Sequence, residues 1–136
     1  MLSPLYLLDA NAISDAMKVH PNLVGKVASK RGSVVTSVIV KGEIRYGLDI
    51  LPLGKRRTDL EAKAASVLGS VSAEPVTEAV AIQYAAIRST LEKQGLVLGD
   101  NDVWIAALCR QHSFSLLSRD RHFDLVRGIE RIDWSP

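Results

Sequence analysis

The most constraining stretch of this chain runs from Gly99 to Cys109, Gly-Asp-Asn-Asp-Val-Trp-Ile-Ala-Ala-Leu-Cys. After a polar opening it carries an unbroken apolar run from Val103 to Leu108. A helix that is apolar on every side belongs inside a molecule, so other elements must surround it. The anomaly is the opening. Asp102 shares a face with Ile105, Ala106 and Cys109, at the i+3, i+4 and i+7 positions. An ionised carboxylate on a buried face is costly unless something pairs with it. One acid at this place is explained as a helix cap, favoured by the macrodipole. Asp100 and Asp102 together exceed that need and turn attention to the chain's other carboxylates.

The surrounding pattern alternates strand and helix. Leu5 to Leu8 reads as a buried strand ending at Asp9, and Asn11 is placed to cap a short helix with Ile13, Ala16 and Met17, stopped by Pro21. A second helix is expected from Asn22 to Lys30, ending at Gly32, and a second strand over Val34 to Ser37. Helical patterns follow from Val38 to about Leu51, from Lys55 to Leu68, and from Glu78 to Gln94, where Val80, Tyr84, Ile87 and Leu91 fall in line. Val76 marks a very short strand, Ser115 to Ser118 another, and Ile129 to Ile132 a last one. This alternation predicts an α/β fold: a central, mainly parallel sheet in a three-layer α/β/α sandwich. At 136 residues, without repeats or linkers, residues 1–136 read as a single domain.

In parallel sheets of this kind, ligands gather beyond the carboxyl ends of the strands. Asp9 follows the first strand and Asp120 follows the strand at Ser115. Glu43, in Ser37-Val-Ile-Val-Lys-Gly-Glu-Ile-Arg-Tyr-Gly47, interrupts an apolar helix face formed with Ile39, Val40, Tyr46 and Gly47. For a single such glutamate the plain explanation is an ion pair with an arginine. For four acids meeting in one place, repulsion decides: two like charges about 4 Å apart cost roughly 4 kcal/mol at an effective dielectric near 20. Some of the acids must then hold protons, or a divalent cation must sit among them. Oxygen-only donors, with no histidine or thiol at matching positions, favour Mg2+ or Mn2+ over zinc. An open site of this kind suits phosphodiester hydrolysis by metal-activated water.

Composition closes off other classes. There is no Gly-x-x-x-x-Gly-Lys-Ser/Thr, Gly-x-Gly-x-x-Gly or Gly-x-Ser-x-Gly motif. No apolar run approaches a membrane span, and the first residues do not resemble a signal peptide, so a cytoplasmic protein is expected. Cys109 is the only cysteine and reads as core packing. The formal charge of +2 does not by itself mark a nucleic-acid binder; acids gathered in one pocket would leave the remaining surface more basic than that total. An apolar share of 47% is compatible with surface covered by a partner.

Four segments together resemble a PIN domain, specifically a VapC-type toxin of a bacterial toxin–antitoxin pair. They are Leu7-Leu-Asp-Ala-Asn11, Glu43-Ile-Arg-Tyr-Gly47 after Thr36-Ser37, Gly99-Asp-Asn-Asp-Val-Trp-Ile-Ala-Ala107, and Ser118-Arg-Asp-Arg-His-Phe123, with a similar tail from Gly128 to Trp134. The resemblance implies a magnesium-dependent endoribonuclease. It matches Asp9, Glu43 and Asp102 to three core metal-holding acids and Asp120 to a fourth, more variable one, with Asn11 and Ser118 as supporting neighbours. Asp100 departs from the pattern as an extra acid, a helix cap or outer ligand. Asp15 and Asp124 are within reach of the pocket rim, and ordinary surface placement is expected of both. RNA contacts are expected from Arg119, Arg121 and His122, and from Lys55, Arg56 and Arg57, which read equally well as a solvated helix start. The resemblance further implies structured RNA such as tRNA as substrate, an inhibiting antitoxin, and a homodimer. Three other readings stand beside it: a non-catalytic PIN-like scaffold, a phospho-acceptor receiver domain, and a DNA-directed metal nuclease. A receiver needs adjacent acids after strand one and a late lysine, yet no lysine follows Lys93.

Overall fold

A computed structural model describes residues 5–20, 22, 23, 27 and 34–135. Their elements in chain order are β1 (Tyr6–Leu8), α1 (Ala10–Met17), β2 (Val34–Ser37), α2 (Val38–Asp49), α3 (Lys55–Gly69), β3 (Ser72–Glu74), α4 (Glu78–Lys93), α5 (Asp100–His112), β4 (Ser115–Leu117) and β5 (Glu130–Ile132), with a 3-10 turn at Arg121–Leu125 before β5. The helix expected over Asn22 to Lys30 falls largely outside the described residues.

The five strands form one parallel sheet in the order β3-β2-β1-β4-β5. Tyr6 stands opposite Val34 on one side and Ser115 on the other. The chain moves outward from β1 to β3, then crosses back over β1 to β4 and β5. Parallel crossovers are right-handed, so reversing direction puts the later helices on the opposite face. Accordingly α1, α2 and α3 pack together, and α4 packs against α5. This is the expected α/β/α sandwich. It places the switch in strand order between β1 and β4, the point where parallel sheets open a crevice.

The apolar stretch after Gly99 is the innermost helix. Val103 and Ile105 to Cys109 are buried, with Leu7, Leu116, Leu117 and Phe123 in the same core. Trp104 is half-buried and stacks on Tyr84 of α4, ring centroids 3.9 Å apart. Burial pushes the Cys109 thiol well above its ordinary range, in keeping with a packing role.

Local chemistry corrects several expectations. Asp9, not Asn11, caps α1: its backbone is extended and its side chain accepts from Ala10 N at 2.7 Å, leaving Asn11 inside the helix. That helix ends at Met17, before Pro21. Neither Asp100 nor Asp102 caps α5; Gly99 occupies the cap position with no side-chain bond, and both acids lie in the first helical turn. The short third strand is Ser72–Glu74 rather than at Val76. Pro75 ends it, having no N–H for the ladder, and Thr77 already caps α4 through Val80 N. Among the described residues, no helix is long and apolar enough to cross a membrane.

Candidate active site

Asp9 is the first residue beyond the central strand. It is 5% exposed, and its backbone N–H still donates to Leu117 of β4. The side chain is held from three directions. Ala10 N donates to Oδ1, the Ser118 hydroxyl donates to Oδ2 at 2.7 Å, and the Asn11 amide reaches Oδ2 at 3.3 Å. Asn11 also donates to Ser118 Oγ and accepts from the Arg119 N–H. Ser118 Oγ in turn accepts from Asp120 N at 3.1 Å. A fully buried serine thus ties the ends of β1 and β4 together and sets the backbone that carries Asp120.

Glu43 comes from the facing layer. Ser37 ends β2 and caps α2 in the same step, its hydroxyl accepting from Val40 N. Because no loop intervenes, Glu43 falls in the second turn of α2, close to the sheet's carboxyl edge. One oxygen, Oε1, is buried with no hydrogen-bond partner among the described residues. The arginine ion pair that would explain a lone glutamate is not formed: Arg45 engages Asp49 and Glu61. Asn101 of α5 is the polar neighbour that favours the ionised Glu43.

The acids sense one another. Glu43 is pushed up to about 7, first by burial and then by the charges of Asp9 and Asp102. Asp102 is pushed up to about 6 by burial, Asp9 and Asp120, with His122 acting in the opposite sense. Asp9 is raised by burial and by Asp120, against the lowering bonds from Ser118 and Ala10. No lysine or arginine among the described residues pairs with Asp9, Glu43 or Asp102. The side chains converge without closing on one point: among the described residues, no three of His, Cys, Asp and Glu form a finished metal cage.

The remaining residues divide. Asp100 turns away to α4, where it accepts from the Tyr84 hydroxyl and pairs with Arg88, with its side chain 70% exposed. Nothing ties it to the acid group, so the outer-ligand role is not supported. Asp15 is buried at 5% exposure rather than on the surface; it accepts from Trp134 Nε1 at 2.9 Å and pairs with Arg119. An indole N–H brought into a core needs an acceptor, and that demand was the available sign. Asp124 is exposed, as expected, and the structure pairs it with Arg131. Arg57 is committed to Asp49, Glu61 and the Asp49 and Leu51 carbonyls, while Lys55 and Arg56 are exposed. Arg121 and His122 are exposed beside Asp120, whose Oδ1 lies 2.8 Å from His122 Nδ1 and also accepts from His122 N.

Comparison with known proteins agrees with this arrangement. The PIN domain family matches residues 6–129. The chain is 30% identical to VapC ribonuclease Y4jK of Sinorhizobium fredii, covering 97% of this chain and 99% of that one. It is 33% identical to toxin FitB of Neisseria gonorrhoeae, covering 85% and 88%. The solved structure of FitAB bound to an IR36 DNA fragment superposes with a TM-score of 0.82 at 28% identity, over 97% of each chain. The sheet order, the acids at its carboxyl edge and these full-length likenesses agree: the chain belongs to the PIN-domain family, among its VapC-type toxins.

Proposed function

We propose that this protein is a divalent-metal-dependent endoribonuclease and the toxin of a toxin–antitoxin pair. One observation carries the reading: Asp9, Glu43 and Asp102, from three separate elements, are each raised first by burial, the Asp9 charge further raises both Glu43 and Asp102, and among the described residues no basic side chain pairs with them and one buried Glu43 oxygen has no partner. Like charges brought together this way are relieved either by holding protons or, once ionised, by a counter-charge from outside the chain. An all-carboxylate donor set fits Mg2+ or Mn2+. Asp9, Glu43 and Asp102 would hold the ion, with Asp120 beside them. The ion supplies a water of lowered pKa and charge neutralisation at the phosphate. Ser118 and Asn11 fix the Asp9 carboxylate so that its free lone pairs face the crevice. Asp120, positioned through Ser118 Oγ, orients the attacking water, and His122 holds Asp120. Lys55, Arg56, Arg121 and His122 contribute cationic contacts to the RNA backbone, while Arg57 and Arg119 serve the fold first.

The names of the relatives, a VapC ribonuclease and a toxin, support RNA cleavage and a cognate antitoxin that silences it. A structured RNA such as tRNA is the preferred substrate, since RNA is read largely through shape and splayed bases. The protein acts in the cytoplasm, where such RNA is found. The exposed Ile82 and Val97 offer apolar surface to a second copy, in line with a homodimer.

Purified protein is expected to cut RNA only with Mg2+ or Mn2+ present, leaving 5′-phosphate ends. Asp9→Asn abolishes cleavage while RNA binding and the folded circular dichroism spectrum persist. Full activity of Asp9→Asn removes the mechanism, and cleavage of single-stranded DNA but not RNA moves the protein to a DNA-directed nuclease.

A further inference from the structure

Helix α2 has a surface that neither the core nor the acid group explains. Gly42 and Gly47 lie in its interior, where glycine destabilises a helix relative to alanine. A methyl group built on either would meet nothing within 4 Å. Packing inside the chain therefore does not require these glycines. Glycine here leaves the helix backbone open to close approach by another molecule. Gly42 lines an open groove together with Val38, Ile39, Glu43, Tyr46 and Asn101. Two of its apolar walls face solvent: Tyr46 is 66% exposed and Val38 42%. The Tyr46 hydroxyl has no hydrogen-bond partner among the described residues. Tyr46 follows Glu43 by three positions, so the ring and the carboxylate leave one face of the helix, about 4.5 Å apart along its axis.

Resting on the ribonuclease reading above, we infer that this groove is a nucleobase slot: the Tyr46 ring stacks on the base of a nucleotide adjoining the scissile phosphate, Gly42 lets that base lie against the helix, and the Asn101 amide meets its edge. Continuity with the acid group favours RNA as the occupant. Glu43 is at once a wall of the groove and a member of the acid group, so a phosphate held at the acids brings its own nucleotide to Tyr46. Aromatic stacking accepts any base, because every base has a π-face, and a side-chain amide then adds hydrogen bonds to a base edge. The slot makes Tyr46 a positioning residue for the substrate, and it carries no step of the chemistry.

The test uses the full chain with Mg2+ and a short fluorescein-labelled RNA of randomised sequence. Tyr46→Ala is expected to raise KM by about five- to a hundredfold with kcat nearly unchanged, the range that loss of one base stack produces. Tyr46→Phe keeps the wild-type KM, and Gly42→Leu, which fills the groove, raises it as Tyr46→Ala does. With the same RNA made from abasic nucleotides, wild type and Tyr46→Ala become equal. If wild type cleaves RNA but Tyr46→Ala and Gly42→Leu leave KM unchanged, the slot is overturned and the nuclease reading stands. The slot is likewise overturned if these variants lose only antitoxin binding, which would make the groove a protein-docking surface. If wild type cleaves no RNA under any metal, the nuclease reading itself has failed, and the slot goes with it.

Discussion

The Ser118 hydroxyl donates to Asp9 Oδ2 at 2.7 Å, joining two residues 109 positions apart in the chain. The same oxygen accepts from Asp120 N and from the Asn11 amide. Ser118→Ala removes all three contacts at once. Without the serine's lowering bond, the Asp9 carboxyl rises further. Loss of a supporting group of this kind typically weakens metal binding by about 10- to 100-fold. Isothermal titration with Mn2+ should show that loss in Ser118→Ala, and wild-type affinity would mean the serine only packs.

The acid group should also write itself into stability. A carboxyl whose folded pKa lies above its unfolded value binds a proton more tightly when folded. Its contribution is complete below the unfolded value and is lost as pH rises through the folded one. Glu43 moves from 4.5 to about 7 and Asp102 from 3.8 to about 6, both chiefly through burial. The metal-free protein is therefore expected to melt at steadily lower temperature across that range. The lowered carboxyls of Asp49, Asp124 and Asp133 act only below 3.8, outside this window. Glu43→Gln flattens the slope, and saturating Mg2+ removes most of it. A melting temperature that climbs from pH 5 to 7 in EDTA contradicts the placement of these acids.

Two aspartates two positions apart should behave oppositely. Asp100 is exposed and bound to Tyr84 and Arg88, whereas Asp102 faces the acids. Asp100→Asn is expected to keep kcat/KM within about twofold, because an exposed ion pair is worth little. Asp102→Asn is expected to lose at least about a hundredfold, as removal of a metal-holding carboxylate should. Equal losses in the two variants would place Asp100 in the site as well.

The segment after β5 is fastened to α1 by Trp134, whose Nε1 donates to buried Asp15 at 2.9 Å. Arg119 completes the clip, pairing with Asp15 while its guanidinium lies 5.6 Å from the Trp134 ring centre. Trp134→Phe keeps a ring but strands one carboxylate oxygen, a change that costs about 1–3 kcal/mol. Urea unfolding followed by circular dichroism measures it, and an unchanged midpoint would show that Arg119 alone satisfies Asp15.

Much of this was legible in the sequence because period and charge point the same way. Val34 to Ser37 is a strand to the residue, and Lys55 and Glu78 each open the helix their patterns predict. Asp9, Glu43, Asp102 and Asp120 stood out as acids on otherwise apolar faces or at strand ends. What escaped were relationships between distant segments. Asp15 reads as a surface acid until Trp134, from the far end of the chain, supplies its donor. Asn101 looks like one more polar residue of a helix start until α2 brings Glu43 against it. The capping of α1 went to Asp9 rather than Asn11 because cap choice depends on where the strand stops, a matter of one residue.

The order of strands in the sheet also sets the timing of assembly. β1 is the first described strand to be synthesised, yet one of its two neighbours is β4, and the acids and their serine span positions 9 to 120. A chain still being made, with its last segments inside the ribosome, has Asp9 and Glu43 but neither Ser118 nor Asp120. No fragment cut short before β4 can bring the four carboxylates together. The acid group therefore cannot assemble until β4 and the residues after it have been made, which leaves an interval for an inhibitor to be waiting.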